Sequence, residues 1–308
     1  MNTTAWLNGL AALVAVGLAA LVAGHHRVGD DREVVAPRSA SELADASGHV
    51  TPIRPFRRIL SASTLADRLL VELCEPDRIV AFTAYGAEHS PLAYQYAGKA
   101  LLKSGTDVEE VLALKPDLFV TNSFGTPAKM ARLREAGIEV FDLGEAHGLD
   151  SLLEDARKVG QLVGHPERGE RYAQAFARRF QQVAAAVPAD QRRTAIYLSV
   201  YGNQLFGGAL GSSYHDILVH AGLIDAAAVR FGNWPKYSPE QVLELDPEVI
   251  VSKRGMKQAI CERPSFERLR ACTSGTIVEV DSELMDDPGP AMLDVAETVF
   301  ASVYGAPR

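Results

Sequence analysis

The chain has 308 residues, 47% of them hydrophobic and 23% charged, enough apolar material for the cores of two ordinary domains. A formal net charge of −8 excludes the broad basic face that a nucleic-acid backbone requires of its partner. Only three cysteines occur, Cys74, Cys261 and Cys272.

Residues 5–23 form an almost uncharged run rich in Ala, Leu and Val, long enough to span a bilayer but only weakly apolar. The same run reads as a secretory signal, with Val22-Ala23-Gly24 as a small-residue cleavage site, although no Lys or Arg precedes it. A signal peptide and a membrane anchor both stay open over 1–24, and both imply export. No cysteine ends the run, so a lipoprotein anchor is excluded. Residues 25–56, with Pro37, Pro52 and Pro55 among Ser, Asp and Arg, have the composition of a flexible tether.

A first α/β lobe is expected over 57–148. Strands at Arg58-Ile-Leu-Ser-Ala, Arg78-Ile-Val-Ala-Phe-Thr, Leu118-Phe-Val-Thr and Ile138-Glu-Val-Phe-Asp-Leu alternate with helices, which implies a parallel sheet. Ser63 or Thr64 can cap the first helix, and Cys74 falls in its apolar pattern as a buried thiol. Parallel sheets bind ligands at the carboxyl ends of their strands. Tyr85, His89, Ser123 and Phe124 stand at those ends and are the candidate contacts of this lobe, with Tyr94 and Tyr96 nearby.

Residues 149–188 carry apolar residues at helical spacing, broken at Gly164-His-Pro166, and are read as connecting helices. Such a connector holds two lobes at a nearly fixed angle. A second α/β lobe follows over 189–308. It opens with the strand Thr194-Ala-Ile-Tyr-Leu-Ser-Val and a glycine-rich loop, 201–213. That loop has neither the dinucleotide nor the phosphate-loop spacing, so its glycines let the backbone approach another surface closely. Lys253 and Arg254 follow a strand at its carboxyl end, where they can pair with carboxylates or an anionic chelate. Cys261 and Cys272 are spaced for a small disulfide loop or for two free thiols, and fit no zinc pattern.

One stretch occurs twice. Glu109-Glu-Val-Leu-Ala-Leu-Lys-Pro-Asp-Leu-Phe-Val returns as Glu240-Gln-Val-Leu-Glu-Leu-Asp-Pro-Glu-Val-Ile-Val, at a constant offset of 240 − 109 = 131. Each copy is a short helix that a proline stops, followed by an apolar strand. Two copies at one offset imply two similarly built lobes.

The first copy, together with Trp234-Pro-Lys-Tyr-Ser-Pro-Glu-Gln-Val242, resembles the bacterial solute-binding proteins that serve ABC importers of vitamin B12, siderophores and haem. The resemblance runs from about Arg57 to the C-terminus. It implies two Rossmann-like α/β lobes with mainly parallel sheets joined by a long connecting helix, the class III periplasmic-binding-protein architecture. By the same resemblance Trp234 stacks on a flat ligand, Tyr201 and Phe206 lie where the family offers cleft contacts, and Glu240 docks onto the permease. The matching first-lobe glutamate is expected near Pro127 or Lys129, where no acid stands. The family's last-loop arginine is Ala291 here, and 121–125 hold no Tyr to ligate haem iron.

The function so implied is non-catalytic: capture of a cobalamin-like or iron-chelate ligand between two lobes for import. The protein is expected to be an exported or periplasmic monomer, with no cofactor or metal of its own and with a permease as partner. An exported two-domain enzyme is the alternative, with His89, His215 and Asp216 as acid–base groups, but no nucleophile elbow or zinc-protease motif supports it. A metal-ion binder would draw on His89, His215, Asp286 and Asp287.

Overall fold

The computed structural model describes residues 41–89, 93–103, 107–122, 127–287 and 289–305. The predicted signal or anchor lies outside the described residues, among which no helix is long and apolar enough to cross a membrane.

Strands β1 (Glu42–Ala44) and β2 (Val50–Pro52) form an antiparallel pair ahead of the first lobe. The lobe follows as β3 (Ile59–Ser61), α1 (Thr64–Leu73), β4 (Ile79–Thr83), α2 (Ala84–His89), β5 (Ala100–Leu102), α3 (Val108–Leu114), β6 (Leu118–Thr121), α4 (Pro127–Glu135) and β7 (Glu139–Asp142). Its strands are all parallel in the order β5-β4-β3-β6-β7. Successive residues of β3 and β6 enter different cores: Ile59, Leu118 and Val120 pack on one face, Leu60 and Phe119 on the other. Burial on both faces explains why these runs lack polar alternation.

The connector is a pair of helices, α5 (Leu149–Leu162) and α6 (Pro166–Ala185), folded back on each other through 163–165. They meet at Gly160 and Gly169, where a Cβ on Gly160 would lie 2.8 Å from the Gly169 Cα, so only glycine permits the approach. With 20 residues, α6 is about 30 Å long.

The second lobe comprises β8 (Thr194–Tyr201), β9 (Gln204–Gly208), α7 (Ser213–His220), β10 (Ile224–Asp225), β11 (Lys236–Tyr237), α8 (Pro239–Leu245), β12 (Val249–Lys253), α9 (Met256–Cys261), α10 (Arg270–Thr273), β13 (Ile277–Val280), α11 (Ser282–Met285) and α12 (Ala291–Tyr304). The sheet runs β11-β9-β8-β12-β13, with β10 also paired to β8. Strands β8, β10, β12 and β13 are parallel, while β9 and β11 run antiparallel at one edge. The stretch read as a glycine loop therefore contains a strand, because a hairpin turn at 202–203 sends the chain back along β8.

The repeat is structural down to its caps. Asp107 and Ser238, 131 apart, cap α3 and α8 by accepting from Glu110 N and Gln241 N. Lys115 and Asp246, again 131 apart, end those helices in the left-handed region at φ 47° and 34°. Non-glycine residues rarely adopt that conformation, and each is followed by the helix-stopping proline. Asp117 and Glu248, also at the offset, then bind the start of each lobe's first strand. Asp117 accepts from Arg57 N and Arg58 N, Glu248 from Thr194 N.

The inner core is continuous between the lobes. Phe82 and Phe141 of the first, Val159, Phe176 and Phe180 of the connector, and Tyr197, Val249 and Val299 of the second belong to one apolar cluster.

The segment 25–56 departs in part from the expected tether. Residues 25–40 lie outside the described residues, but 41–56 are docked on the first lobe. The carboxylate of Asp45 is the reason: it accepts from Ser47 N, His49 N, Asp142 N and Arg134 Nη2, and Ala46 N donates to Asp142 O. Those bonds fix the turn against β7 despite its polar composition.

Candidate ligand-binding cleft

Between the lobes lies a cavity of about 570 Å³, within the range of small-molecule sites. Thr64 and Arg68 of α1, Tyr85, Gly86 and His89 of α2, and Tyr96 form its first-lobe wall. The second-lobe wall follows β13 with Asp281, Glu283, Leu284, Asp286 and Asp287, and adds Asp294 of α12. Helices α1 and α2 and the 281–287 stretch all leave carboxyl ends of strands, as the sheet topology requires of a ligand site.

A buried carboxyl orders the first wall. Asp67 lies behind it with no exposed surface, accepts from Thr83 N at 3.2 Å and meets Thr83 Oγ1 at 2.5 Å. Gly86 N donates to the same hydroxyl, which ties α2 to α1 and β4. Burial pushes the Asp67 carboxyl up to about 7, against the pull of hydrogen bonds from Ser61 and Thr83.

Acids dominate the second wall, and they reach bases on both lobes. Glu283 stands 3.3 Å from His89 Nε2, and Asp287 stands 3.6 Å from the Arg68 guanidinium. These two pairs bridge the lobes. Within the second lobe Lys253 Nζ donates to Asp286 at 2.6 Å and Arg254 Nε to Asp281 at 2.5 Å. Asp286 also accepts from the Tyr214 hydroxyl at 3.3 Å, and Tyr214 stacks flat on Tyr197 at 3.8 Å. Burial pushes the Asp287 and Asp294 carboxyls up while Arg68 pulls both down.

Of the contacts expected from sequence, Tyr85 and His89 lie on the cavity wall, with their rings stacked 4.2 Å apart. Ser123 and Phe124 lie outside the described residues. Lys253 and Arg254 lie beside the wall and pair with carboxylates, as their place at a strand end allows, here those of Asp286 and Asp281 of the protein itself. Phe206 is half-buried on β9 opposite Lys236 and Ser199, and Tyr201 is exposed at the hairpin turn; neither lines the cavity. Trp234 is also off the cavity wall, yet its indole turns toward the first lobe and meets His147. Of the acidic wall the sequence singled out Asp286 and Asp287, as metal-ion candidates, and passed over Asp281, Glu283 and Asp294, which look merely solvated in sequence.

Of the proposed acid–base groups only His89 lies on the cavity wall, while His215 and Asp216 are engaged elsewhere. His215 Nδ1 is 2.8 Å from the buried Asp225, whose hydrogen bond pushes the imidazole up. Asp216 accepts from Leu149 N at 2.6 Å and so holds the start of α5. Among the described residues no three His, Cys, Asp or Glu side chains converge into a metal-holding group. Cys261 and Cys272 form a disulfide, and Cys74 is a buried free thiol.

Two α/β lobes on a helical strut, with a cavity between them at their strand ends, have the build of a bilobal solute-binding protein. The chain belongs to the periplasmic binding protein family, whose profile matches residues 59–284. It is 24% identical over 247 residues to the vitamin B12-binding protein of Vibrio cholerae, covering 80% of this chain and 88% of that one. A possible iron-binding periplasmic solute-binding protein of Staphylococcus epidermidis superposes with a TM-score of 0.71 at 17% identity, over 82% of this chain and all of that one. The periplasmic heme-binding protein of Roseiflexus sp. RS-1 does so at 0.66 and 20% identity, over 80% and 98%.

Proposed function

We propose that the chain is a non-catalytic solute-binding protein that takes a cobalamin-like or iron-chelate ligand, siderophore or heme, into the interlobe cavity and delivers it to the permease of an ABC importer. The observation that carries this reading is the cavity itself, walled by one group of elements from each lobe and offering the half-exposed ring of Tyr85 to a flat ligand. Family membership and the vitamin B12-binding and heme-binding relatives point the same way. The absence of a cofactor or metal of its own, the monomeric state, and export with or without a retained N-terminal anchor are parts of the same proposal.

Docking is assigned to Glu240, at the second position of α8 and without burial. The internal repeat gives Glu109 the equivalent place on α3, 131 residues earlier, where it is exposed beside Arg132. That pair replaces the first-lobe partner sought near Pro127 and Lys129, because equivalent positions on equally capped helices present like groups to one partner.

The test is titration of the purified protein with cyanocobalamin, ferric siderophores, heme and divalent metal ions, read by tryptophan fluorescence and calorimetry. Saturable one-to-one binding of a corrinoid or chelate is expected. Response to bare metal ions alone, or chemical turnover of any ligand, would overturn the reading.

A further inference from the structure

The charge of the cavity restricts what can enter it. Each described base on the wall or paired to it already faces an acid: Arg68 faces Asp287 and His89 faces Glu283 on the wall, while Lys253 and Arg254, beside it, face Asp286 and Asp281. Asp294 is an additional carboxylate in the field of Arg68. Five acidic side chains of the wall, two of them pushed up by burial, thus face two wall bases, Arg68 and His89, and two bases beside the wall, Lys253 and Arg254. The Tyr85 phenol stands in the same field, pushed up by burial and then by Glu283, Asp286 and Asp287.

Outside the described residues the two lobes add one base in sequence, Arg308 of the C-terminal 306–308. Ser90-Pro-Leu92, Ser104-Gly-Thr106, Ser123-Phe-Gly-Thr126 and Pro288 have no ionisable side chain. A ligand carboxylate would therefore have to break an existing pair and strand the displaced acid in a partly dehydrated site. Removing one partner from such a pair is costly, and juxtaposed like charges disfavour the wrong ligand. Amide and ammonium groups, by contrast, find acceptors all along 281–287.

We propose that this cavity selects neutral or cationic solutes and rejects carboxylate-bearing ones, so that an amide-armed corrinoid or a neutral or cationic ferric chelate is its ligand and heme with free propionates is not. This rests on the cavity being the ligand site proposed above. The acids at 281, 283, 286, 287 and 294 are then specificity determinants rather than ligand anchors for an anion.

The full-length purified chain is titrated with two matched ligand pairs that differ in charge and little in shape: cyanocobalamin against its side-chain monocarboxylate, and heme dimethyl ester against heme. In each pair that binds, the uncharged arm is expected to win by at least about tenfold, with the gap shrinking as salt is raised. Asp294→Asn should narrow it further. Equal or tighter binding of the carboxylate form in either pair overturns the inference but leaves the cavity a ligand site. So does a gap that neither salt nor Asp294→Asn moves, which would be steric in origin. Failure of all four probes to bind removes the proposed ligand class, and this inference with it.

Discussion

The indole of Trp234, from the second lobe, faces the imidazole of His147, from the first, with ring centroids 5.5 Å apart and planes inclined at 31°. Trp234 remains 44% exposed there, an aromatic surface at the junction of the lobes not used up by internal packing. The chain's other tryptophan is Trp6, far away in sequence. A solute held between the lobes is therefore expected to be reported by one indole. Trp234→Phe should abolish most of the ligand-induced fluorescence change. Trp234→Ala should weaken binding by about 1–2 kcal/mol, roughly tenfold, by calorimetry. An alanine variant that binds like the wild type would show that the solute does not reach beyond the cavity to Trp234.

Asp67 makes stability depend on pH in a stated direction. Its folded value, about 7, lies above its ordinary 3.8, so the fold favours the protonated form. The stability this contributes is full below about 3.8 and is lost as the pH rises towards 7. Asp155, also pushed up to about 7 by burial, acts in the same sense. Asp67→Asn keeps the shape and cannot ionise. Chemical denaturation should find it more stable than the wild type by about 2–4 kcal/mol at pH 8, and by much less at pH 4. A difference independent of pH would show that Asp67 does not titrate in this interval.

Gly207 and Gly208 confirm that the second-lobe glycines serve close approach. A Cβ on Gly207 would fall 2.1 Å from the Tyr237 ring, and one on Gly208 2.3 Å from that of Tyr214. Either alanine must displace a packed ring, so each should cost about 1–3 kcal/mol in urea unfolding. Gly208→Ala should also weaken ligand binding, since Tyr214 supports Asp286 on the cavity wall. Wild-type stability in both variants would contradict this packing.

The thiols should divide cleanly by environment. Cys261–Cys272 closes a short loop beside Ile260, Phe266 and Leu269, and replacing both with Ser should cost about 3 kcal/mol. Cys74 is buried, and burial pushes its thiol up to about 11. Iodoacetamide should modify no cysteine of the native oxidised protein, and Cys74 alone after unfolding, as read by mass spectrometry. Labelling of Cys74 in the native state would contradict its burial.

Much of the frame was legible because local chemistry decides it. Pro116 and Pro247 end helices wherever they occur, and apolar runs such as Leu118–Val120 and Val249–Val251 have few alternatives to a strand buried on both faces. The place of Tyr85 and His89 beside a cavity was legible because clefts in parallel-sheet proteins open at the carboxyl ends of strands. What stayed hidden depends on partners distant in sequence. Asp45 finds Arg134 89 residues away, and that contact helps dock the last part of the expected tether, from 41 on, against the first lobe. The carboxylate partners of Lys253 and Arg254 stayed hidden because Asp286 and Asp281, 33 and 27 residues on, cannot be paired with them from spacing alone. β9 was missed because glycines that admit Tyr237 and Tyr214 resemble loop glycines until the rings are placed.

The apolar cluster that runs unbroken from Phe82 through Phe176 and Phe180 to Val299 leaves neither half a separate melting unit. Heating should give a single calorimetric peak whose van't Hoff and measured enthalpies agree, in place of two staggered events. Cargo bound at one wall would then raise the melting temperature of the whole body, so a thermal-shift screen would report ligands that touch either half.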